Sequence, residues 1–323
     1  MKMKIDDLHS TFLEALEKKI PQKTRLVEIL MDCLSIEKGA VIRRLRGEVP
    51  FSFFETVKIA IRLNISLNDV VQPGVAPIDH FALTIIEYTD MSEIYYKQWE
   101  EYIALIRTAK NDPDSEIAES SNILPLAVYA GFGSLSRFFI FKYQYLFSSS
   151  DNRKSLGDMA VPERLNQIFK SYFIESKYFA KTILIWDFMI FRYLITDIKF
   201  FSGINLIAAN EIRQLKTDLF ALLDYLEKMT LKGYFIETGN PVQVYISDIN
   251  LDADYSYLQF NDIYISHVRS FILNSVASTD RSSFYKIKEW IHSIKRTSTL
   301  ITQSGAVYRT DFFDKQRSMV SEL

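Results

Sequence analysis

Gln72-Pro73-Gly74-Val75-Ala76-Pro77 is the stretch that most limits what this chain can become. Two prolines and a glycine within six residues cannot continue a helix or sit in a central strand. The 323 residues therefore divide into 1–72, a linker at 73–77, and 78–323. The division changes the meaning of the charge. Over the whole chain, 38 Lys and Arg against 40 Asp and Glu give −2, which predicts no attraction to a polyanion. Residues 1–76 hold 12 basic and 10 acidic side chains, a net of +2, while 77–323 hold 26 and 30, a net of −4. Both parts are rich enough in apolar residues, 48% overall, to bury a core, which excludes disorder. The single Cys33 excludes an internal disulfide or a thiolate zinc site and suits a reducing compartment.

The first part predicts five short helices. Ile5, Leu8, Phe12, Ala15 and Leu16 recur at helical spacing until Pro21. Leu26, Val27, Leu30, Met31 and Leu34 line one face of the second. The third runs from Lys38 to Arg46, with Gly47 placed for a left-handed cap. Ser52 and Glu55 form a capping box for the fourth, whose expected buried face is Phe53, Val57, Ala60 and Ile61. Ser66 caps a fifth, with Leu67, Val70 and Val71 inward. The window Ile36–Arg62 carries six basic and three acidic residues. A short cationic helix on a compact bundle suits a DNA major groove, where Arg takes guanine bidentately or pairs with phosphate.

Three pieces of this region resemble a known family: Leu34-Ser35-Ile36-Glu37-Lys38-Gly39-Ala40-Val41-Ile42-Arg43-Arg44-Leu45-Arg46-Gly47-Glu48, Phe51-Ser52-Phe53-Phe54-Glu55, and Leu63-Asn64-Ile65-Ser66-Leu67-Asn68-Asp69. They are similar to the phage-repressor-like (Cro/XRE) helix-turn-helix over about Lys23 to Val71. The resemblance implies a five-helix bundle that offers its third helix to double-stranded DNA. Ser35 stands where that family usually has Gly in the tight turn, and Met31 where it prefers a small residue. The apolar residue near the end of the reading helix is Arg44 in one register and Leu45 in the next, so two registers stay open. The groove-facing residues expected are Lys38, Gly39, Ile42, Arg43 and Arg46, with Arg44 in the alternative register. Lys58 and Arg62 are expected at phosphates.

The second part predicts a long helix from Ile78 to about Lys110, then helices over 122–130 and 135–147. A loop follows at 148–158. Helical pattern resumes at Pro162 and continues through Phe201. Tyr178 to Phe201 is the most apolar stretch, but Lys181, Asp187, Arg192, Asp197 and Lys199 interrupt it, so it predicts a buried core helix and no membrane span. Leu215, Leu219, Leu222, Leu223 and Leu226 mark an amphipathic helix over 211–228. After Gly233, Val242, Val244 and Ile246 alternate with polar residues, and Tyr255 to Phe260 and Ile263 to Leu273 are β-rich. Helices return over 281–295 and from Asp311. The run Trp290 to Gly305, with Arg309, Phe312, Phe313 and Gln316, resembles the tail of helix-turn-helix proteins common in Bacteroidetes, whose C-terminal ligand is unknown.

Together these readings give a mainly α protein: an N-terminal five-helix helix-turn-helix bundle, and a larger α-rich dimerisation and effector domain with a small antiparallel β segment near 234–273. His9, His80, His267 and His292 stand singly, away from metal-ligand spacing, and no nucleophile elbow or phosphate loop is present. The expectation is a cytoplasmic, homodimeric transcriptional regulator with no catalytic activity, cofactor or metal, and an effector of unknown identity in the larger domain. The alternative is a helical sensor or interaction protein whose N-terminal bundle contacts other proteins. A third reading, an enzyme with a nucleic-acid-targeting domain, would need a polar pocket assembled from distant residues.

Overall fold

The structure, a computed structural model, describes residues 5–63, 65, 67, 70, 84–86, 93–147, 154–269 and 275–323. The chain forms two compact units, residues 1–78 and 79–323. The linker at 73–77 and His80 lie outside the described residues, as does most of the expected fifth helix.

The first unit contains α1 (Ile5–Lys19), α2 (Lys23–Leu34), α3 (Lys38–Leu45) and α4 (Phe53–Leu63). Phe12, Leu16, Leu26, Leu30, Leu34, Val41, Phe51 and Ile59 make its core. The four-residue spacing of Leu26, Leu30 and Leu34 puts them on one stripe of α2, as the sequence predicts. The buried face of α4 needs correction. Ile59 and Ala60 are buried, whereas Phe53 is 74% exposed and Ile61 77% exposed. The core place is taken by Phe51, whose ring meets Phe12 edge-on at 5.9 Å.

The second unit overturns the expected mainly α class. It is an α/β domain built on an eight-stranded mixed sheet. Its elements are β1 (Thr84–Ile86), α5 (Glu93–Arg107), β2 (Glu116–Ser121), α6 (Leu126–Tyr129), α7 (Gly133–Phe147) and α8 (Glu163–Glu175), then β3 (Lys181–Asp187), α9 (Arg192–Gly203) and α10 (Ala209–Lys232). There follow β4 (Val242–Ser247), β5 (Asp254–Phe260), β6 (Ile263–Arg269), β7 (Ser275–Ser278), α11 (Arg281–Arg296), β8 (Ser298–Leu300) and α12 (Ala306–Ser321). The strand order is β1-β7-β6-β5-β2-β3-β4-β8. β2, β3 and β4 run parallel in the centre and the remaining pairings are antiparallel.

The small antiparallel sheet expected near 234–273 is thus divided within a larger one: β4 lies beside β3 in the parallel centre, and β5 and β6 lie on the far side of β2. The continuous helix expected through Phe201 is interrupted by β3, and the helix from Ile78 by β1. The physical reason is burial. Six of the seven β3 residues are buried, so it shows no alternation. A parallel strand covered on both faces reads as an unbroken apolar run that periodicity cannot separate from a buried helix.

Helices cover both faces. Leu184, Trp186, Val242, Val244 and Ile246 pack on one face with residues of α7, α8, α9, α10 and α12. Ala118, Ile183, Ile185 and Tyr257 pack on the other with Phe284, Ile287 and Ile291 of α11. Gly305 joins β8 to α12 at φ +63°, where an added Cβ would sit 2.6 Å from the Leu300 carbonyl oxygen. Only glycine fits that turn without strain. Arg309, Phe312, Phe313 and Gln316 are all buried. Arg309 donates to the Ile301 and Ser304 carbonyls, and Gln316 to that of Phe188.

Candidate nucleic-acid interface

α2 ends at Ser35, which takes a left-handed conformation (φ 55°, ψ 44°). Ile36 and Glu37 follow, and α3 begins at Lys38. The chain therefore turns where the resemblance puts its tight turn, with serine accepting a conformation that glycine adopts more cheaply. The far end of α3 is closed by a Schellman motif. The Gly47 N–H donates to the Arg44 carbonyl and the Glu48 N–H to that of Arg43, with Gly47 at φ +76°.

Val41 is the fully buried anchor of α3. Ala40, Ile42, Arg44 and Leu45 are half-buried, and Lys38, Gly39, Arg43 and Arg46 are exposed. A Cβ built on Gly39 meets no atom within 4 Å, so the helix backbone is open to close approach there. Of the expected groove-facing set, Lys38, Gly39, Arg43 and Arg46 share the outer side, with Ile42 at its margin.

Arg44 behaves differently. Its guanidinium donates to both Glu55 carboxylate oxygens, at 2.8 and 3.4 Å, and to the Ala40 carbonyl. Both side chains of the pair are 20% exposed. Glu55 also accepts from the Ser52 N–H at 2.7 Å, while its own N–H donates to the Ser52 hydroxyl. The capping box of α4 therefore also clamps α3. Burial pulls the Glu55 carboxyl upward, but the Ser52 N–H and Arg44 outweigh it and hold it below its usual range. With Arg44 and Leu45 both turned toward the bundle, Arg44 is removed from the groove-facing set.

The remaining cations carry weak local counter-charges. Arg43 and Arg46 lie 3.6 and 3.7 Å from Glu48, and Arg62 lies 3.7 Å from Asp32, all on exposed side chains. Such pairs contribute roughly 0–1 kcal/mol, so phosphates can replace them. Lys58 is exposed on α4. The structure also adds residues that the sequence did not single out. Lys23 and Thr24, at the start of α2, line an open cleft of about 640 Å³ together with Lys38, Ile42 and Arg46. A polar pair just after the Gln22 N-cap was the available signal, since helix N-termini favour anions. Glu17 and Glu28 share the cleft wall.

The first unit also exposes an apolar patch on α4. Phe53, Phe54 and Ile61 are 74%, 77% and 77% exposed, with the two phenylalanine rings edge-to-face at 5.8 Å.

In the second unit, a small pocket of about 30 Å³ is lined by Glu119, Lys177, Thr182, Tyr225 and Phe235 among others. It has room for a water molecule and not for an organic effector. Lys177 lies 2.8 Å from Glu237 and 3.0 Å from the Phe173 ring centroid. Burial pulls Lys177 down to about 8, against the pull of Glu237. Glu119 accepts from the Ser121 hydroxyl at 2.9 Å, and burial pushes it up to about 7. β6 carries His267 and Arg269 two residues apart, and Arg269 pairs with Asp254 of β5 at 2.7 Å. Burial, reinforced by Arg269, pushes His267 down to about 4. Among the described residues no three His, Cys, Asp or Glu side chains are placed to hold a metal ion, and no helix is long and apolar enough to cross a membrane.

Comparison of the chain with protein-family models, with curated proteins and with solved structures finds no match.

Proposed function

We propose that the first unit reads double-stranded DNA through the outer face of α3 and that the chain is a transcriptional regulator. The observation that carries this is the sorting of side chains on α3. Val41 fixes it to the core, the Arg44–Glu55 clamp fixes its rotation, and Lys38, Arg43 and Arg46 are left outward beside an open Gly39. A rigidly held cationic helix offers its donors to base edges and phosphates without ordering cost at the moment of binding. Lys23 and Thr24 extend the contact to phosphates flanking α3, and Lys58 and Arg62 reach further ones.

One such module covers a half-site, so the active form is a homodimer. The Phe53–Phe54–Ile61 patch of α4 is the contact we assign to the second copy. The same patch is also what favours the second reading, a bundle that serves contact with a different protein.

Fluorescence anisotropy on genomic DNA fragments across a salt series tests the DNA reading. Affinity should fall steeply with salt, and Arg43→Ala with Arg46→Ala should weaken binding about ten- to a hundred-fold. An affinity indifferent to salt or to that double substitution refutes it. Sedimentation of the wild type and of Phe54→Asp tests the dimer.

A further inference from the structure

Three polar side chains line up across the middle of the sheet in the second unit. Glu119 of β2 lies directly opposite Ser256 of β5, and Ser256 opposite His267 of β6. Residues opposed in this way share a face of the sheet. Alternation along the strands puts these three on the face away from α11, which takes their neighbours Ala118 and Tyr257. The next row on that face is apolar: Ile117, Leu258 and Ile265 oppose one another and join one packed cluster. The row on the other side holds the Asp254–Arg269 ion pair. Polar groups inside a sheet normally find hydrogen-bond partners. Glu119 accepts from Ser121, but the Ser256 hydroxyl and the His267 ring make no hydrogen bond among the described residues. Glu119, Ser256 and His267 are each half-buried, so packing does not seal the row.

We propose that the row Glu119–Ser256–His267 is a ligand site and that its ligand is an uncharged, polyhydroxylated molecule of the sugar class. The place in the fold supports a site. β3 and β4 extend from one side of β2 and β5, β6 and β7 from the other, so the strand order reverses at β2. The carboxyl ends of parallel strands at such a reversal are where open α/β sheets bind ligands, and Glu119 is two residues from the end of β2. The chemistry supports the class. Arg269 is held by Asp254, burial keeps the His267 ring uncharged, and burial draws Glu119 toward its protonated form. A phosphate or carboxylate would face Asp254 and Glu119, and an ammonium would face Arg269. A carboxylic acid, a serine hydroxyl and a neutral imidazole each donate and accept, as sugar hydroxyls do. From β2 to β6 the row spans two strand spacings, about 10 Å. The pocket behind Glu119, with Lys177 and Thr182, is too small for such a ring, which places the ligand on the Ser256 and His267 side.

The full-length protein should be examined by saturation-transfer NMR and calorimetry with glucose, galactose, ribose and maltose at millimolar concentration. Glucose 6-phosphate and glucosamine serve as anionic and cationic counterparts of one ring. We expect saturable binding of at least one neutral sugar, stronger than that of either charged counterpart. Ser256→Ala and His267→Ala should each weaken it about three- to ten-fold. Ser120→Ala, on the opposite face of β2, should leave it unchanged. Melting curves of the free proteins identify a variant that has merely lost its fold, and for such a variant His267→Gln replaces His267→Ala. Binding that ignores both Ser256→Ala and the His267 substitution overturns the location. Tighter binding of glucose 6-phosphate or glucosamine than of glucose overturns the uncharged class, and no binding of any neutral sugar overturns the proposal. The site stands apart from α3, so none of these outcomes touches the DNA reading, which the anisotropy series tests separately.

Discussion

The two units handle charge in opposite ways. In the first, Lys38, Arg43, Arg46, Lys58 and Arg62 stand outside a wholly apolar core, and Arg44 is the one cation of α3 drawn partly inward. The second buries charge within its framework. Lys177, Asp187, Asp254 and Arg309 are each less than 10% exposed, and each meets a defined partner. A small bundle of short helices cannot bear the cost of an imperfectly paired buried ion, whereas a large sheet supplies backbone donors and acceptors that satisfy one. The first unit is thereby built to present charge, and the second uses it to fix loops at strand ends.

The largest test of this contrast is in the packed layer. Phe312→Ala should destabilise the second unit by about 3–5 kcal/mol. Hydrogen exchange should show the loss in β3 and β4 and leave α2 and α3 unchanged. Equal loss in both units would mean that they do not fold separately. Next, Arg44→Ala should cost about 1–3 kcal/mol by leaving Glu55 half-buried without its partner, while Arg43→Ala stays within about 0.5 kcal/mol of wild type. DNA affinity should rank the two in reverse at temperatures where both are folded. If Arg44→Ala is neutral for stability, the clamp is not structural.

Glu119 sharpens the contrast through pH. Its folded pKa lies near 7, above the ordinary value of 4.5, so the folded state holds its proton more tightly than the unfolded one. Stability from this group therefore falls as pH rises from about 4.5 to 7, and the penalty is complete above 7. Glu119→Gln should be more stable than wild type by about 1–2 kcal/mol above pH 7, with the gain fading as the pH falls through that window. A variant less stable at high pH would show that the ionised carboxylate is well paired. The smallest effect belongs to the turn before α3. Ser35→Gly should stabilise the first unit by about 0.5–1 kcal/mol, by removing the strain of a left-handed serine. A loss of stability would place the cost of glycine in the unfolded chain above that strain.

Much of the first unit was legible because its helices are amphipathic and have ends marked by Pro21, Gly47 and the Ser52–Glu55 box. The rotation of α4 was not. Its sequence Phe53-Phe54-Glu55-Thr56-Val57-Lys58-Ile59-Ala60-Ile61-Arg62-Leu63 has apolar residues nearly all round, so periodicity allowed several inward faces. The core chose Ile59 and Ala60 because Phe51, just outside the helix, already fills the adjacent space. The inward turn of Arg44 is set by a contact with Glu55, eleven residues away, which spacing along one helix cannot report. In the second unit, β2 was overlooked because Glu116-Ile117-Ala118-Glu119-Ser120-Ser121 is polar. It is nevertheless central, with its serines buried and Glu119 hydrogen-bonded to Ser121.

The sequence by itself determined the cationic character of α3, the caps of the short helices and the alternating strands after Gly233. All of these are set by residues close together in the chain, where sterics and local hydrogen bonds act. Only the tertiary structure decided that β3 is a strand, that β2 lies between β3 and β5, and that Arg269 pairs with Asp254. Each of these depends on which distant segment covers a face, and a run buried on both sides carries no periodic trace of its partners. The same burial turned Arg44 into a clamp while leaving Arg43, one residue earlier, facing water.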